Sequence, residues 1–282
     1  VSIGGPFRDA RHIQDDLDGL VGSLDRVAAR PTRIEVRADA TGDGWRRCSD
    51  LLADPGGFSR WRDALADWLR ARYRIAGPAP GRTTACYVTA WYLRAPAYVA
   101  ALLLHQERRV PSLRPEALAL RTAPHGRPEL TGVAVLDDSF YCLPLDPGAG
   151  RPEATVVADE RQLASVLRAR YIAHAARFVH AFGRVSPLGT HTLWAAATDA
   201  LDTCLWWAGA DSGDEGAGVA EAALVLQSRF PPLTSPSTLR SSGGTPDRSW
   251  TRRRESCCFT YLLPGRGECE GCPRLRPKPH AG

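Results

Sequence analysis

Apolar residues recur at helical spacing from Ile13 through Leu17, Leu20, Val21, Leu24 and Val27, and again at Phe58, Trp61, Leu65 and Trp68. Both runs predict amphipathic helices. Ala85 to Leu104 is almost continuously apolar, but Arg94 and Pro96 cut it into halves shorter than the roughly 20 residues of a membrane span, so a broken, buried helix is predicted there. From Ala117 the pattern changes to short apolar runs, 117–120, 132–136, 140–145 and 154–157, separated by turn formers such as Pro124, Gly126, Asp137, Asp138, Gly148 and Gly150. That pattern predicts an antiparallel meander.

A capping signal at Asp159, with Gln162 three residues on, opens the clearest helix in the chain. Its stripe is Leu163, Leu167, Tyr171, Ala175, Phe178 and Phe182, and Gly183 stops it. Ser186 and Pro187 suit the cap and first turn of a further helix running towards Gly209, and Ala217 to Leu226 suggests one more. Between Pro231 and Pro246 the chain turns to Pro, Ser, Thr and Gly, the composition of a flexible connector. The fold class expected is α+β with helices in excess.

Composition narrows the function classes only a little. A chain of 282 residues with 44% hydrophobic and 24% charged residues is an ordinary globular protein, which excludes wholesale disorder, collagen and a polytopic membrane protein. Charge is less even. From Arg240 onward nine basic residues face four acidic ones, so this tail holds the whole net charge of +5, while the preceding chain is balanced. Any attraction to an anionic partner belongs to the tail.

The cysteines are as uneven as the charge. Cys48, Cys86, Cys142 and Cys204 lie tens of residues apart and read as buried single thiols, whereas Cys257, Cys258, Cys269 and Cys272 share one short segment. No secretory signal is evident, so a reducing compartment is expected, where clustered cysteines serve metals or redox chemistry more often than structural disulfides. The pattern is Cys-Cys, ten residues, Cys, two residues, Cys. A pair such as Cys269 and Cys272 can bend two sulfurs onto one metal, with Gly271 and Pro273 favouring the turn. Adjacent Cys257 and Cys258 point apart in extended backbone, which favours two irons over one ion. Phe259, Tyr261, Leu262 and Leu263 are candidates for an apolar shell, and amides near Gly265 and Gly267 for hydrogen bonds to sulfur. A zinc knuckle with basic flanks that bind nucleic acid is the competing reading of the spacing.

Around these cysteines, the run Arg252 to Tyr261 followed by Cys269-Glu270-Gly271-Cys272 resembles the C-terminal signature of FhuF-type ferric-siderophore reductases. The resemblance is confined to this segment and implies that Cys257, Cys258, Cys269 and Cys272 bind a [2Fe-2S] cluster. It further implies a cytoplasmic oxidoreductase that passes one electron to Fe(III) held by a siderophore, often a hydroxamate; the basic tail makes an acidic electron donor such as ferredoxin or flavodoxin the expected partner. Nucleic acid is not an expected partner, no transmembrane segment is expected, and peripheral membrane contact is compatible. The alternatives carried forward are the zinc-stabilised nucleic-acid-binding protein and an iron-sulfur redox sensor.

The expected organisation is therefore a helix-rich body with a small antiparallel sheet over 1–230, the region that would bind the siderophore, a flexible linker over 231–250, and a cluster module over 251–282. Arg252, Arg253 and Arg254 read as a solvated flank, Trp250 and Tyr261 as packing around the sulfurs, and Trp206 and Trp207 as core or interface residues. His174, His180 and His191 lack metal-binding spacing, so surface or hydrogen-bonded roles are expected of them.

Overall fold

The computed structural model describes residues 18–242, 249–269 and 271–275. Its elements in chain order are α1 (Leu20–Ala28), β1 (Glu35–Arg37), β2 (Trp45–Arg47), α2 (Cys48–Ala53), α3 (Pro55–Tyr73), α4 (Gly81–Glu107), β3 (Val110–Pro111), β4 (Leu118–Thr122), β5 (Leu130–Val135), β6 (Phe140–Cys142), β7 (Ala154–Val156), α5 (Glu160–Gly183), α6 (Thr190–Asp211), α7 (Glu215–Val225), β8 (Leu239–Ser242) and β9 (Ser249–Arg252). The fold is α+β, as the patterning predicts.

Helix α4 is the axis of the molecule. Its residues from Thr83 to Leu104 are buried on nearly all sides, the signature of a core helix rather than a surface one. Pro96 sits inside it without ending it, so the predicted break is corrected to one continuous helix. Proline removes one backbone hydrogen bond there, and packing of α6, α3 and the four-stranded sheet around the helix holds the geometry in spite of that loss. Among the described residues no helix is long and apolar enough to cross a membrane.

The predicted meander is also corrected. Strands β4 and β5 do pair antiparallel, but they belong to a four-stranded sheet of order β1-β5-β4-β2 in which β1 runs parallel to β5. Strands β6 and β7 pair parallel in a separate sheet with β3. Alternation of short apolar runs carries no information about which run becomes whose neighbour, and β1 and β3 are too short to announce themselves.

Helix α5 starts where the capping signal puts it, with the Asp159 side chain accepting the Gln162 N–H at 2.8 Å. All six residues of its apolar stripe are buried, and Phe178 and Phe182 join Phe58 of α3 and Tyr92 of α4 in an aromatic cluster. The start of α6 is later than predicted: Ser186 and Pro187 lie in a turn, and Gly189 is the residue before the first helical turn. The part of the N-terminal helix predicted from Ile13 to Leu17 lies outside the described residues.

His174 lies within this core. Its Nδ1 is 2.7 Å from the Leu113 carbonyl, which can only accept, so Nδ1 carries the proton and Nε2 accepts from the Tyr92 hydroxyl at 3.1 Å. Burial pushes its pKa down to about 4, with the Arg177 charge adding to the effect, while the Leu113 hydrogen bond and Glu116 oppose it. The unfolded chain therefore binds a proton near pH 6.5 that the folded chain refuses until about pH 4, so stability is full above that window and falls as pH drops through it. Urea midpoints measured at pH 7.5 and pH 4.5 should show this loss, and His174→Gln should flatten the dependence. An equally steep fall in the variant would assign it to other groups.

The C-terminal region departs most from expectation. Residues 231–242 of the predicted linker are held against the helices: Leu233 is buried in the core and the Thr234 N–H donates to Thr198 Oγ1 at 2.9 Å. Small polar residues here pair with buried acceptors on α6, so a composition typical of linkers serves as packing. Residues 243–248 of the same stretch lie outside the described residues, as do Glu270, Arg276 and Lys278 of the basic tail.

Candidate iron-sulfur site

Two acidic residues on α6, Asp199 and Asp202, anchor the chain on both sides of β8 and β9. Both are buried, at 5% and 1% exposure, and each is surrounded by donors. Asp202 accepts from the Ser237 hydroxyl at 2.7 Å and from the Thr238 N–H and hydroxyl at 3.0 Å, fixing the chain just before β8. Asp199 accepts from the Glu255 N–H at 2.9 Å, the Ser256 N–H at 2.8 Å and the Ser256 hydroxyl at 2.5 Å, just after β9. Arg252 Nη1 adds an ion pair to Asp199 at 3.1 Å, and Arg254 Nε approaches it at 3.8 Å. Between the two anchors the chain forms the antiparallel β8/β9 hairpin.

The arginine run is therefore not a solvated flank. Arg252 and Arg254 turn inward, with side chains 13% and 21% exposed, and only Arg253 faces solvent. Asp199 was invisible to motif reading. The signal available was an acid at 199 and another at 202 within the apolar run from Leu193 to Leu205, too costly to bury without specific partners.

Past Ser256 the chain presents the vicinal cysteines. Phe259 takes a left-handed conformation with φ of 53°, which turns the backbone so that its N–H lies 3.4 Å from Cys257 Sγ. The Thr260 hydroxyl donates to Cys258 Sγ at 2.9 Å. Helix α4 supports the same turn from below: Thr83 Oγ1 donates to the Phe259 carbonyl at 2.9 Å, and the Cys86 thiol to the Cys257 carbonyl at 3.1 Å.

The second pair returns to meet the first. The Cys272 N–H donates to the Cys269 carbonyl at 3.1 Å, closing a tight turn, and the Arg254 N–H donates to the Gly271 carbonyl at 2.9 Å. Gly271 has φ of 68°, and a Cβ there would stand 2.4 Å from the Arg252 carbonyl oxygen, so only glycine allows the loop to lie this close. Cys258 Sγ and Cys269 Sγ come within 3.4 Å, well beyond the roughly 2.05 Å of a disulfide. Arg254 Nη1 lies 3.7 Å from Cys269 Sγ.

These surroundings suit thiolates that bind metal. Three of the four sulfurs receive a hydrogen bond from an amide, a hydroxyl or a guanidinium, the contacts that stabilise sulfur charge. Burial raises the Cys258 pKa, but the Thr260 hydrogen bonds, the Cys269 thiol and the Arg254 charge outweigh it and leave the thiol below its ordinary value. Cys269 is pushed up to about 11 by burial and by the neighbouring Cys258 sulfur. Among the described residues no three His, Cys, Asp or Glu side chains converge as ligands of a single ion do. Cys272 is buried while Cys257, Cys258 and Cys269 are half-exposed.

Two sequence expectations about this shell are corrected. Phe259 and Leu263 do pack inward, but Leu262 is 43% exposed. Among the described residues it is the Phe259 amide, and not those of Gly265 or Gly267, that donates to sulfur. Elsewhere Cys48, Cys86, Cys142 and Cys204 are buried free thiols, and burial pushes Cys48, Cys86 and Cys204 up to about 12. They are chemically quiet.

Cys258 and Cys269 lie together and donors reach three of the four sulfurs, an arrangement suited to sulfur ligands of iron. Residues 254–274, which include all four clustered cysteines, match the family model of the FhuF 2Fe-2S C-terminal domain. The chain thus carries a domain of that kind and, with it, a [2Fe-2S] cluster. No curated protein is found to match the chain.

Proposed function

We propose that this protein is a ferric-siderophore reductase of the cytoplasm, with Cys257, Cys258, Cys269 and Cys272 as the ligands of its [2Fe-2S] cluster. The observation that supports the proposal is that all four cysteines lie in the segment that matches the FhuF 2Fe-2S domain, where Cys258 Sγ and Cys269 Sγ come within 3.4 Å and hydrogen-bond donors reach three of the four sulfurs. The bound cluster supplies one-electron transfer. A siderophore's hard anionic oxygens hold Fe(III) far better than Fe(II), so adding one electron to the iron is enough to release it.

The chain's own residues hold the thiols, tune them and admit partners. Thr260, the Phe259 amide and Arg254 stabilise negative charge on sulfur, which favours acceptance of an electron. Asp199 keeps Arg254 and Ser256 in place beneath the cysteine loop. Half-exposure of Cys257, Cys258 and Cys269 leaves this face open to a donor, and the exposed Arg253 and Arg266 give it the charge an acidic ferredoxin or flavodoxin would meet. Iron release by electron transfer requires no nucleophile or general acid, and the body supplies binding and orientation of the chelate.

Anaerobically purified protein should be red-brown with visible absorption and contain two irons and two sulfides per chain. After reduction it should be reoxidised by ferric hydroxamate or ferric catecholate chelates, with Fe(II) trapped by a ferrous-specific chelator in equal amount. A colourless protein containing zinc, or a reduced protein that ferric chelates leave unchanged, would overturn the proposal.

A further inference from the structure

Arg94 is the one half-buried cation of helix α4 that the fold leaves uncompensated. Among the described residues it has no hydrogen-bond acceptor and no carboxylate partner, and its guanidinium lies 5.2 Å from the centre of the Trp207 ring. Burial lowers its pKa; Cys204 opposes that shift, and the positive charges of Arg254, Arg252 and Arg127 add to it. A cation in such surroundings lacks an anion.

Arg94 borders a cavity of about 220 Å³ lined also by Trp206, Trp207, Trp250, Arg252 and Arg254, with two threonines. No carboxylate lines it. The anion that does serve Arg252 and Arg254 is Asp199, a single carboxylate shared between two guanidiniums. Arg252 reaches it through Nη1 alone among the described contacts, which leaves the rest of its planar fork for another acceptor. Trp206 is fixed by its indole N–H, which donates to Glu215 at 2.7 Å, so the aromatic wall is rigid. The cavity also adjoins the cysteine loop directly, because Arg254, which lines it, lies 3.7 Å from Cys269 Sγ.

We propose that this cavity receives one arm of the ferric chelate, and that it selects chelates whose arms carry oxyanions over neutral ones. The inference rests on the reductase reading above and names its substrate class. A volume of about 220 Å³ is below the roughly 300 Å³ at which whole-ligand pockets begin, so one arm enters, with its iron-bound oxygens at the cavity mouth, and the other arms stay outside. Guanidiniums donate to paired oxygens; the metal-bound oxygens of a catecholate keep lone pairs and negative charge for such bonds, as do the oxygens of a carboxylate. Tryptophan faces add to the first of these, since a catecholate arm is a flat ring. A neutral tris-hydroxamate complex makes no use of the charge.

The test separates binding from reduction by using gallium(III), which has the charge and ligand geometry of iron(III) but accepts no electron. Gallium tris-catecholate, gallium citrate and a neutral gallium tris-hydroxamate are titrated into the holoprotein, with tryptophan fluorescence as the readout. Both anionic probes should bind at least about tenfold more tightly than the neutral one, a ratio expected of charge-assisted pairs at a partly desolvated site. Arg94→Gln should remove most of that preference with the visible spectrum unchanged, and Arg94→Lys should keep part of it. Trp250→Leu should weaken the catecholate probe more than citrate. If Arg94→Gln fails to fold, the Lys and Trp250 variants carry the same comparison.

Equal affinity for anionic and neutral probes would overturn the proposal, and is the result expected if the three arginines only balance the charge of the iron-sulfur site. Wild-type affinity in Arg94→Gln would overturn it as well. Preferential binding of the anionic gallium probes without any reduction of their ferric counterparts would support the cavity and refute the reductase reading.

Discussion

Replacing any one of Cys257, Cys258, Cys269 or Cys272 by Ser should abolish the [2Fe-2S] cluster. A serine alkoxide is a far harder and more basic ligand than a thiolate, and the nearby Cys86 thiol is buried and donates to the Cys257 carbonyl. Iron and acid-labile sulfide should fall from two of each per chain to near zero, and the visible bands should vanish. The matched controls lie in the body: Cys48→Ala, Cys142→Ala and Cys204→Ala should retain full iron, with some loss of stability from the buried sites. Cys86 needs Ser, because its thiol donates to the Cys257 carbonyl and a hydroxyl preserves that bond. Full iron and sulfide with an unchanged spectrum in any of the four ligand variants would remove that residue from the assignment.

The second large effect is expected at Asp199. Its carboxylate receives two backbone amides, a hydroxyl and a guanidinium in a site 5% exposed, and every one of those donors belongs to the segment that leads into Cys257. Asp199→Asn replaces an acceptor oxygen by an NH2 group that faces donors and leaves Arg252 and Arg254 without a counter-charge. Removing one partner of a buried ion pair costs about 3–5 kcal/mol. Much of that cost should appear as detachment of the hairpin and cysteine loop rather than as global unfolding, because α6 keeps its apolar packing on α4 and α7. Helical circular dichroism should persist while cluster retention during gel filtration drops severalfold. Asp202→Asn, which frees only residues 237 and 238, should be milder. A variant at 199 that holds iron as tightly as the wild type would show that the anchor is dispensable.

What the sequence made legible was of two kinds. Long helices with strong apolar periodicity, α3 and α5, declare themselves, because burial of one face is what holds them. The cysteine constellation declares itself too, since thiolate ligation requires particular atoms at particular spacings. Strand partners did not follow from the pattern: β1 joins β5 in parallel from nearly a hundred residues away, a choice made by tertiary packing. Pro96 misled because local rules price the lost hydrogen bond and not the burial around it. The Pro-, Ser- and Thr-rich stretch misled for the converse reason, as its hydroxyls find acceptors on α6 that composition cannot reveal. Arg94 and Asp199 were each a charge on an apolar helix, a conflict visible in sequence whose resolution needed three dimensions.

Asp199 and Asp202 are three residues apart on one helix and so share a face. One holds the chain entering the hairpin and the other the chain leaving it, which closes a loop from Ser237 to Ser256 on a rigid rail. These hydrogen bonds offset part of the entropy of bringing the cysteine segment to the body. Metal-dependent modules that fold only on loading spend much of their binding free energy on ordering the chain. Here hydrogen bonds to two carboxylates of the body contribute to that ordering, so less of it is left for cluster binding to supply.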